Sequence, residues 1–594
     1  MKPVRLPAAA TLALPRLALF ALGLLYILPG LIGREPWKND DAASFGIMWT
    51  MAHGTWQDWL VPNIAGLAIP DDGPLAFWIG ALGIKLFGWL LGDVLAARVG
   101  TVAIFLFGVL SLWFATFNLG RRQDAQPLRL AFGGQPEPDD FGRTLADAAV
   151  LIYLGCLGLL VHSHETTADA LRVSLTAFML YRTVRYVEAP SLRNAALSGL
   201  AIGLLTLAHG WVTPVCFMLA VFACTRLLAQ PVGRALRDLG LAFLVAAAVT
   251  AIWIVPAHFL QPYHQHPVQN WSALHLAQFG LPTVVAYKFF FRVGVWFFWP
   301  AWPFAGWAIW AWRRQRLALH IVVPLAFVTM GAIMALCASV PEQGQLLILL
   351  PPLAVMAAFG LLTMKRGAIN AIDWFSVMAL TLCAAVIWIF WFAKLTGWPA
   401  QAAKNALKLV PGFTPEVGAV AFPVAALATA GWFALVHWRV ARRPAVLWRA
   451  VVLSSGGLIL LWVLLMTLFM PDLNYARSYA SVGQQIAARL PANADCLDTN
   501  VGPAQRASFA YFGHLPFAGV EGGKCSYLLL QESLKKPADG AHADANRQSV
   551  LQSGDGPRGG QIVLDDFRPR DWTLLWEGRR PSDRTERFRL YQRR

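Results

Sequence analysis

The chain has 594 residues, of which 57% are hydrophobic and only 14% charged, with 26 Trp, 36 Phe and a mean hydropathy of +0.51. That composition excludes an ordinary soluble multidomain protein and points to a polytopic membrane protein. The formal net charge of +16 needs no nucleic acid to explain it, because the cations collect on connections suited to anchoring against anionic lipid.

Apolar stretches able to cross about 30 Å of hydrocarbon recur about thirteen times. They fall near residues 14–32, 94–119, 144–161, 167–184, 195–208, 211–228, 239–259, 293–312, 318–338, 345–363, 374–393, 417–438 and 447–470. The first lacks a small-residue cleavage site leading into a soluble domain, so it reads as a span and not as a removable signal. Cations follow every second connection, at Lys2/Arg5, Arg121/Arg122/Arg129, Arg182/Arg185/Arg193, Arg226/Arg234/Arg237, Arg313/Arg314/Arg316, Lys365/Arg366 and Arg439/Arg442/Arg443. The intervening "HSHETT" and "SVPEQG" carry none. This alternation predicts an N-terminus in the cytoplasm and a C-terminus outside.

After the first span, residues 33–93 form an outer loop that opens with "REPWKNDD" and contains Asp40, Asp41, Asp71 and Asp72. It ends in "PLAFWIGALGIKLFGWLLG", residues 74–92, apolar enough to span. Counting that piece as a span would put every later arginine cluster outside, so it is predicted to be a helix lying at the interface. His162, His164, Glu165 and Asp169 gather between the third and fourth spans on the same outer side, and Lys288 and Arg292 precede the eighth. The last two are one helical turn apart and would share a face.

Residues 1–470 therefore read as the membrane domain and 471–594 as a small α/β domain outside, with strand-like runs "CSYLLLQE", "GQIVLDDF" and "RFRLYQR". Its middle, from Lys535 to Gly560, is rich in Gly, Ala and Asp and reads as a mobile loop. Cys156, Cys216, Cys224, Cys337 and Cys383 fall in spans as packing residues, whereas Cys496 and Cys525 lie in the outer segment and are expected to form a disulfide.

Ionisable groups from distant parts of the chain thus converge on one membrane face. Carboxylates are costly there unless solvated or used. Acidic and basic subsites side by side suit transfer of a sugar from a polyprenyl phosphate to a hydroxyl: a carboxylate takes the acceptor's proton, and Lys, Arg or a divalent metal stabilises the departing phosphate. His162, His164 and Glu165 are the candidate metal ligands, and a divalent cation is the cofactor these residues suggest.

"REPWKNDD", "GTWQDWLVPNIAGLAIPDDGPLAFWIGALGIKLFG" and "DVLAARVGTVAIFLFG" resemble the N-terminal region of the lipid A aminoarabinose transferases, relatives of the protein O-mannosyltransferases. The resemblance continues in "GLAIGLLTLAHGW" and "SVPEQGQLLILLPPLAVMAAFG". It implies an all-α polytopic membrane domain of GT-C type with a small C-terminal α/β domain, and a glycosyltransferase using a polyprenyl phosphate-linked sugar donor. The acceptor would be lipid A, another envelope glycan or a protein. The resemblance also implies catalytic work for Asp40, Asp41 and Asp169, and donor binding near Asp71, Asp72 and His209. Asp72 and His209 each stand where the family has a lysine, and the family tyrosine is Gly344 or Gln345 here. A transporter would place its ionisable residues at mid-span. A non-catalytic relative that binds a lipid-linked sugar, or assists a partner enzyme, is the other reading.

Overall fold

The computed structural model describes residues 4, 6–11, 14–38, 40–128, 134–228, 230–259, 266–415, 417–442, 446–491, 494–518, 525–533, 568–583 and 585–594. The strand expected at "GQIVLDDF" and the loop before it lie outside these residues. In chain order the helices are α1 (Arg16–Ile27), α2 (Asp40–His53), α3 (Leu75–Leu91), α4 (Asp93–Arg121), α5 (Pro138–Leu154), α6 (Leu159–His162), α7 (Ala168–Glu188), α8 (Leu192–Ala208), α9 (Val212–Leu227), α10 (Val232–Phe259) and α11 (Pro267–Ala277). They continue with α12 (Val284–Phe297), α13 (Ala301–Ala311), α14 (Leu319–Leu336), α15 (Leu350–Leu361), α16 (Arg366–Thr396), α17 (Ala400–Leu409), α18 (Ala421–Arg442), α19 (Val446–Leu468), α20 (Met470–Arg477), α21 (Ala480–Ala487) and α22 (Pro503–Gly513).

By length and composition, 7 of the described helices can cross a membrane, among them α4, α10, α14, α18 and α19. Four shorter apolar helices, α1, α3, α8 and α9, accompany them. The chain is a multi-pass membrane protein. Each expected span falls on helix, with two interruptions: 144–161 is divided between α5 and α6, and 293–312 between α12 and α13. Pro300 lies at the second break and has no backbone N–H with which to continue α12.

The interhelical core is built from Leu, Val, Ala, Phe and Met of α4, α5, α7, α8, α14 and α15. Small residues set the closest crossings. A Cβ at Gly83 of α3 would lie 2.5 Å from the Ala96 carbonyl oxygen, and one at Gly108 of α4 would lie 2.5 Å from Ser174 Oγ of α7. Such contacts bring backbones together where hydrocarbon offers no hydrophobic drive between helices.

After α20 the chain forms a four-stranded sheet from β1 (Leu497–Thr499), β2 (Tyr527–Ser533), β3 (Trp572–Gly578) and β4 (Glu586–Arg593) in the order β1-β2-β4-β3. β1 and β2 are parallel, while β4 is antiparallel to both β2 and β3. α22 is the crossover between the parallel pair, as a parallel connection requires. Cys496 and Cys525 form the expected disulfide, with Cα atoms 5.3 Å apart.

This unit grips the outer loop. Ala507 of α22 packs against Gly46 of α2, where no Cβ would fit, and Phe45 meets Tyr511 edge-on at 4.9 Å. Buried Arg506 donates to the carbonyls of Ile64 at 3.0 Å and Ala65 at 2.7 Å. The loop bearing the acidic residues is therefore held from both sides.

Candidate functional site

The two adjacent aspartates at the start of α2 have opposite environments. Asp41 is 2% exposed. Its Oδ2 accepts from Arg34 Nη2 and from the backbone N–H of Trp37, both at 3.1 Å. Its Oδ1 accepts from the Thr166 N–H at 2.9 Å and the Thr166 hydroxyl at 2.8 Å. Arg98 stands 3.5 Å away. Although burial alone would raise it, these two guanidiniums and the backbone donors hold the Asp41 carboxyl below the usual range. The expectation that Asp41 does chemistry is therefore corrected: every acceptor direction is filled, and it serves as the joint between α2 and the α6–α7 turn.

Asp40 is exposed, and no described residue donates a hydrogen bond to its carboxylate. Partial loss of water, then the charges of Asp169 and Asp72, hold its carboxyl above the usual range. Asp71, also exposed, is pushed up to about 6 by desolvation and by its neighbours Asp72 and Asp40. Asp72 lies against the end of α8, its Oδ1 2.5 Å from His209 Nδ1. Asp169, in the first turn of α7, has His162 Nδ1 at 3.2 Å and Arg172 Nη1 at 3.9 Å. The fold thus brings Asp40, Asp71, Asp72, Asp169 and His209 together from the first outer loop, α7 and α8.

Other residues complete the group without having stood out in the sequence. Glu342, in the "SVPEQG" loop, is raised by desolvation and by Asp40 and Asp169. Gly344 lets that loop close down: a Cβ there would sit 2.9 Å from Asp169 Oδ1. Arg172 is buried and is the cation beside the acidic group. An arginine inside an apolar span, three residues after Asp169, was the available signal. His275 of α11 packs edge-on against His209 with ring centroids 4.8 Å apart.

Two expectations fail on geometry. His164 is 1% exposed, with Nδ1 2.6 Å from the Leu160 carbonyl and Nε2 2.8 Å from that of Tyr26. Burial lowers it to about 4, and neither nitrogen is free for a metal. Glu165 faces Arg34 at 3.5 Å and His162 at 3.9 Å, and desolvation followed by the charge of Asp41 raises it to about 7. His162, His164 and Glu165 thus do not form a metal site, and the described residues contain no group of three ligands suited to one. Lys288 and Arg292 do share a face of α12, but that face is exposed among Val284, Val285, Tyr287 and Phe291. No described acidic residue pairs with either, and the arginine beside the acidic cluster is Arg172.

Membrane helices carrying an acidic cluster, with a small sheet unit packed on the first outer loop, form the GT-C fold. The crystal structure of ArnT from Cupriavidus metallidurans bound to undecaprenyl phosphate matches with a TM-score of 0.64 and 15% identity, over 97% of this chain and 97% of that one. The apo state of the same protein matches with a TM-score of 0.61 and 16% identity, again over 97% of each. No family model matches the sequence, and no curated protein does either. At such identity the likeness establishes the fold alone.

Proposed function

We propose that the chain is a glycosyltransferase that moves a monosaccharide from a polyprenyl phosphate carrier to a hydroxyl of lipid A, another envelope glycan or a protein. Asp40 carries this reading. It is an open carboxylate in a cluster that also contains Asp169, Arg172 and the Asp72–His209 pair. Its retained affinity for a proton suits a general base. The acceptor O–H proton passes to Asp40, the oxygen attacks the sugar's anomeric carbon, and the bond from that carbon to the phosphate oxygen breaks. Arg172 offsets charge on the departing phosphate, and Asp71 and Asp169 border the sugar. Lys288 and Arg292 meet the carrier's headgroup at the membrane surface.

The ligand named for the ArnT crystal, undecaprenyl phosphate, supports a carrier of that chemistry. The alternation of basic and cation-poor connections supports a bacterial inner-membrane location, with the N-terminus cytoplasmic and residues 471–594 a periplasmic domain. The test is mass spectrometry of envelope lipids and glycans from cells with the wild-type chain, Asp40→Asn or no chain. A sugar-sized increment seen only with wild type supports the reading. Identical envelopes in all three would replace it with the non-catalytic relative that binds a lipid-linked sugar or assists a partner enzyme.

A further inference from the structure

His209 is fixed by contacts from two other segments. Its carbonyl accepts from the Gly73 N–H at 3.1 Å and from Trp271 Nε1 at 3.0 Å. Its Nδ1 faces Asp72 Oδ1 at 2.5 Å, a separation that requires a proton between them. No described residue bonds its Nε2, and the side chains of His209 and Asp72 keep 17% and 25% of their exposure. Against the ring lies His275, 1% exposed, with Nδ1 3.2 Å from Gln278 Oε1 and a buried Nε2 without a partner. The unbonded His209 Nε2 and the buried, unpartnered His275 Nε2 thus belong to two rings packed against each other.

We propose that Asp72 and His209 act as one proton-carrying contact for the phosphate of a lipid-linked donor, recognising it only while the pair holds its proton. The inference rests on the polyprenyl phosphate reading and names how that site takes its donor. With the carboxyl protonated, Asp72 donates to Nδ1, so the neutral ring carries its hydrogen on Nε2 and donates to an anionic oxygen. If the proton shifts to the ring, Nε2–H still donates. Once the pair loses the proton, Nδ1–H points at a carboxylate, Nε2 becomes a bare lone pair, and the pair is negative. One proton therefore turns a phosphate donor into a phosphate repellent.

The groups facing the pair are Asp169 and Arg172 from α7, His275 from α11, Asp71 and Asp40 from the first outer loop, and Glu342 near Arg172. Desolvation pushes Asp72 up to about 7 and His209 down to about 3, so the shared proton resides on the carboxyl. It is present below neutrality and lost above it.

The probe is undecaprenyl methyl phosphate, a diester whose one charge does not titrate near neutrality, bound to the full-length protein in detergent micelles. For wild type, Kd should weaken about tenfold per pH unit above about pH 7.5. In Asp72→Asn the amide N–H still donates to Nδ1 and keeps Nε2–H in place at every pH. That variant should bind with a flat Kd and, at about pH 9, more tightly than wild type. Calorimetry of wild type in two buffers of different ionisation enthalpy should show uptake of about one proton per ligand at about pH 8, which needs no variant. Measurable binding with a flat wild-type Kd and no proton uptake would overturn the pair's role alone, as would a pH slope that survives in Asp72→Asn. Absence of binding at any pH would overturn the pair and the lipid-phosphate donor together.

Discussion

Asp41 and Thr166, 125 residues apart, share two hydrogen bonds through a single carboxylate oxygen, and this joint holds the start of α2 against the α6–α7 turn. Its other oxygen is held by Arg34 and the Trp37 N–H. Removing the charge leaves buried Arg98 without an acidic partner and Arg34 with Glu165 alone. Asp41→Asn should cost about 3 to 5 kcal/mol and be seen as lost yield and a lower Tm. Asp40→Asn, which breaks no bond among the described residues, should melt like wild type.

The chemistry should divide the two aspartates the other way. Asp40→Asn should reduce sugar transfer by at least about a hundredfold, the usual scale of a lost general base. Because its neighbours hold the Asp40 carboxyl above the usual range, turnover should rise with pH as Asp40 ionises. It should fall again above neutrality, when the Asp72–His209 pair gives up its proton. A pH–rate profile checks both limbs, and a monotonic rise to high pH would remove the pair from the mechanism.

Asp72 also bears on stability. Its folded value of about 7 stands above the ordinary carboxylate value of 3.8, so the folded state binds the proton more tightly than the unfolded chain. The resulting stabilisation is complete below about pH 4 and is lost as pH rises through about 7. Asp72→Asn should therefore be more stable than wild type at about pH 8, by about 1 to 2 kcal/mol, seen as a higher Tm. That is less than the full shift implies, since the side chain is 25% exposed. At about pH 4 the variant and wild type should converge. Thermal melts at both values test the sign.

Docking of the sheet unit on α2 turns on one glycine. A Cβ at Gly46 would enter Ala507, so Gly46→Ala should force α2 and α22 apart at a cost of about 1 to 3 kcal/mol. Limited proteolysis of the 33–93 loop should then accelerate. Gly344→Ala, whose added carbon would press on Asp169 Oδ1 at 2.9 Å, should instead lower turnover while leaving that loop's cleavage unchanged.

The disulfide closes a segment of 29 residues, which in the chain-entropy account corresponds to about 3 to 4 kcal/mol. Replacing Cys496 and Cys525 with Ser should lower the first thermal transition and leave the membrane helices' circular dichroism intact. A variant with unchanged melting would show that the strand pairing of β1 and β2 suffices without the bond.

The sequence by itself determined the helical spans, the outer loop, the sheet unit and its disulfide. Hydrocarbon imposes a length and an apolar composition that can be read along one chain. It also marked Asp40, Asp71, Asp72, Asp169 and His209 as acidic or basic groups of one region. Which of them lie open beside one another was a matter of three dimensions. Asp40 and Asp41 are adjacent in the same helix start, yet one is open and the other is filled by donors from Arg34, Trp37 and Thr166. His164 differs from His162 by two residues but spends both nitrogens on carbonyls. Glu342 reaches the neighbourhood of Asp169 only because α7 and the loop before α15 pack together around a glycine. A side chain's accessibility and partners depend on contacts across more than a hundred residues, and the local pattern that sets a helix contains no record of them.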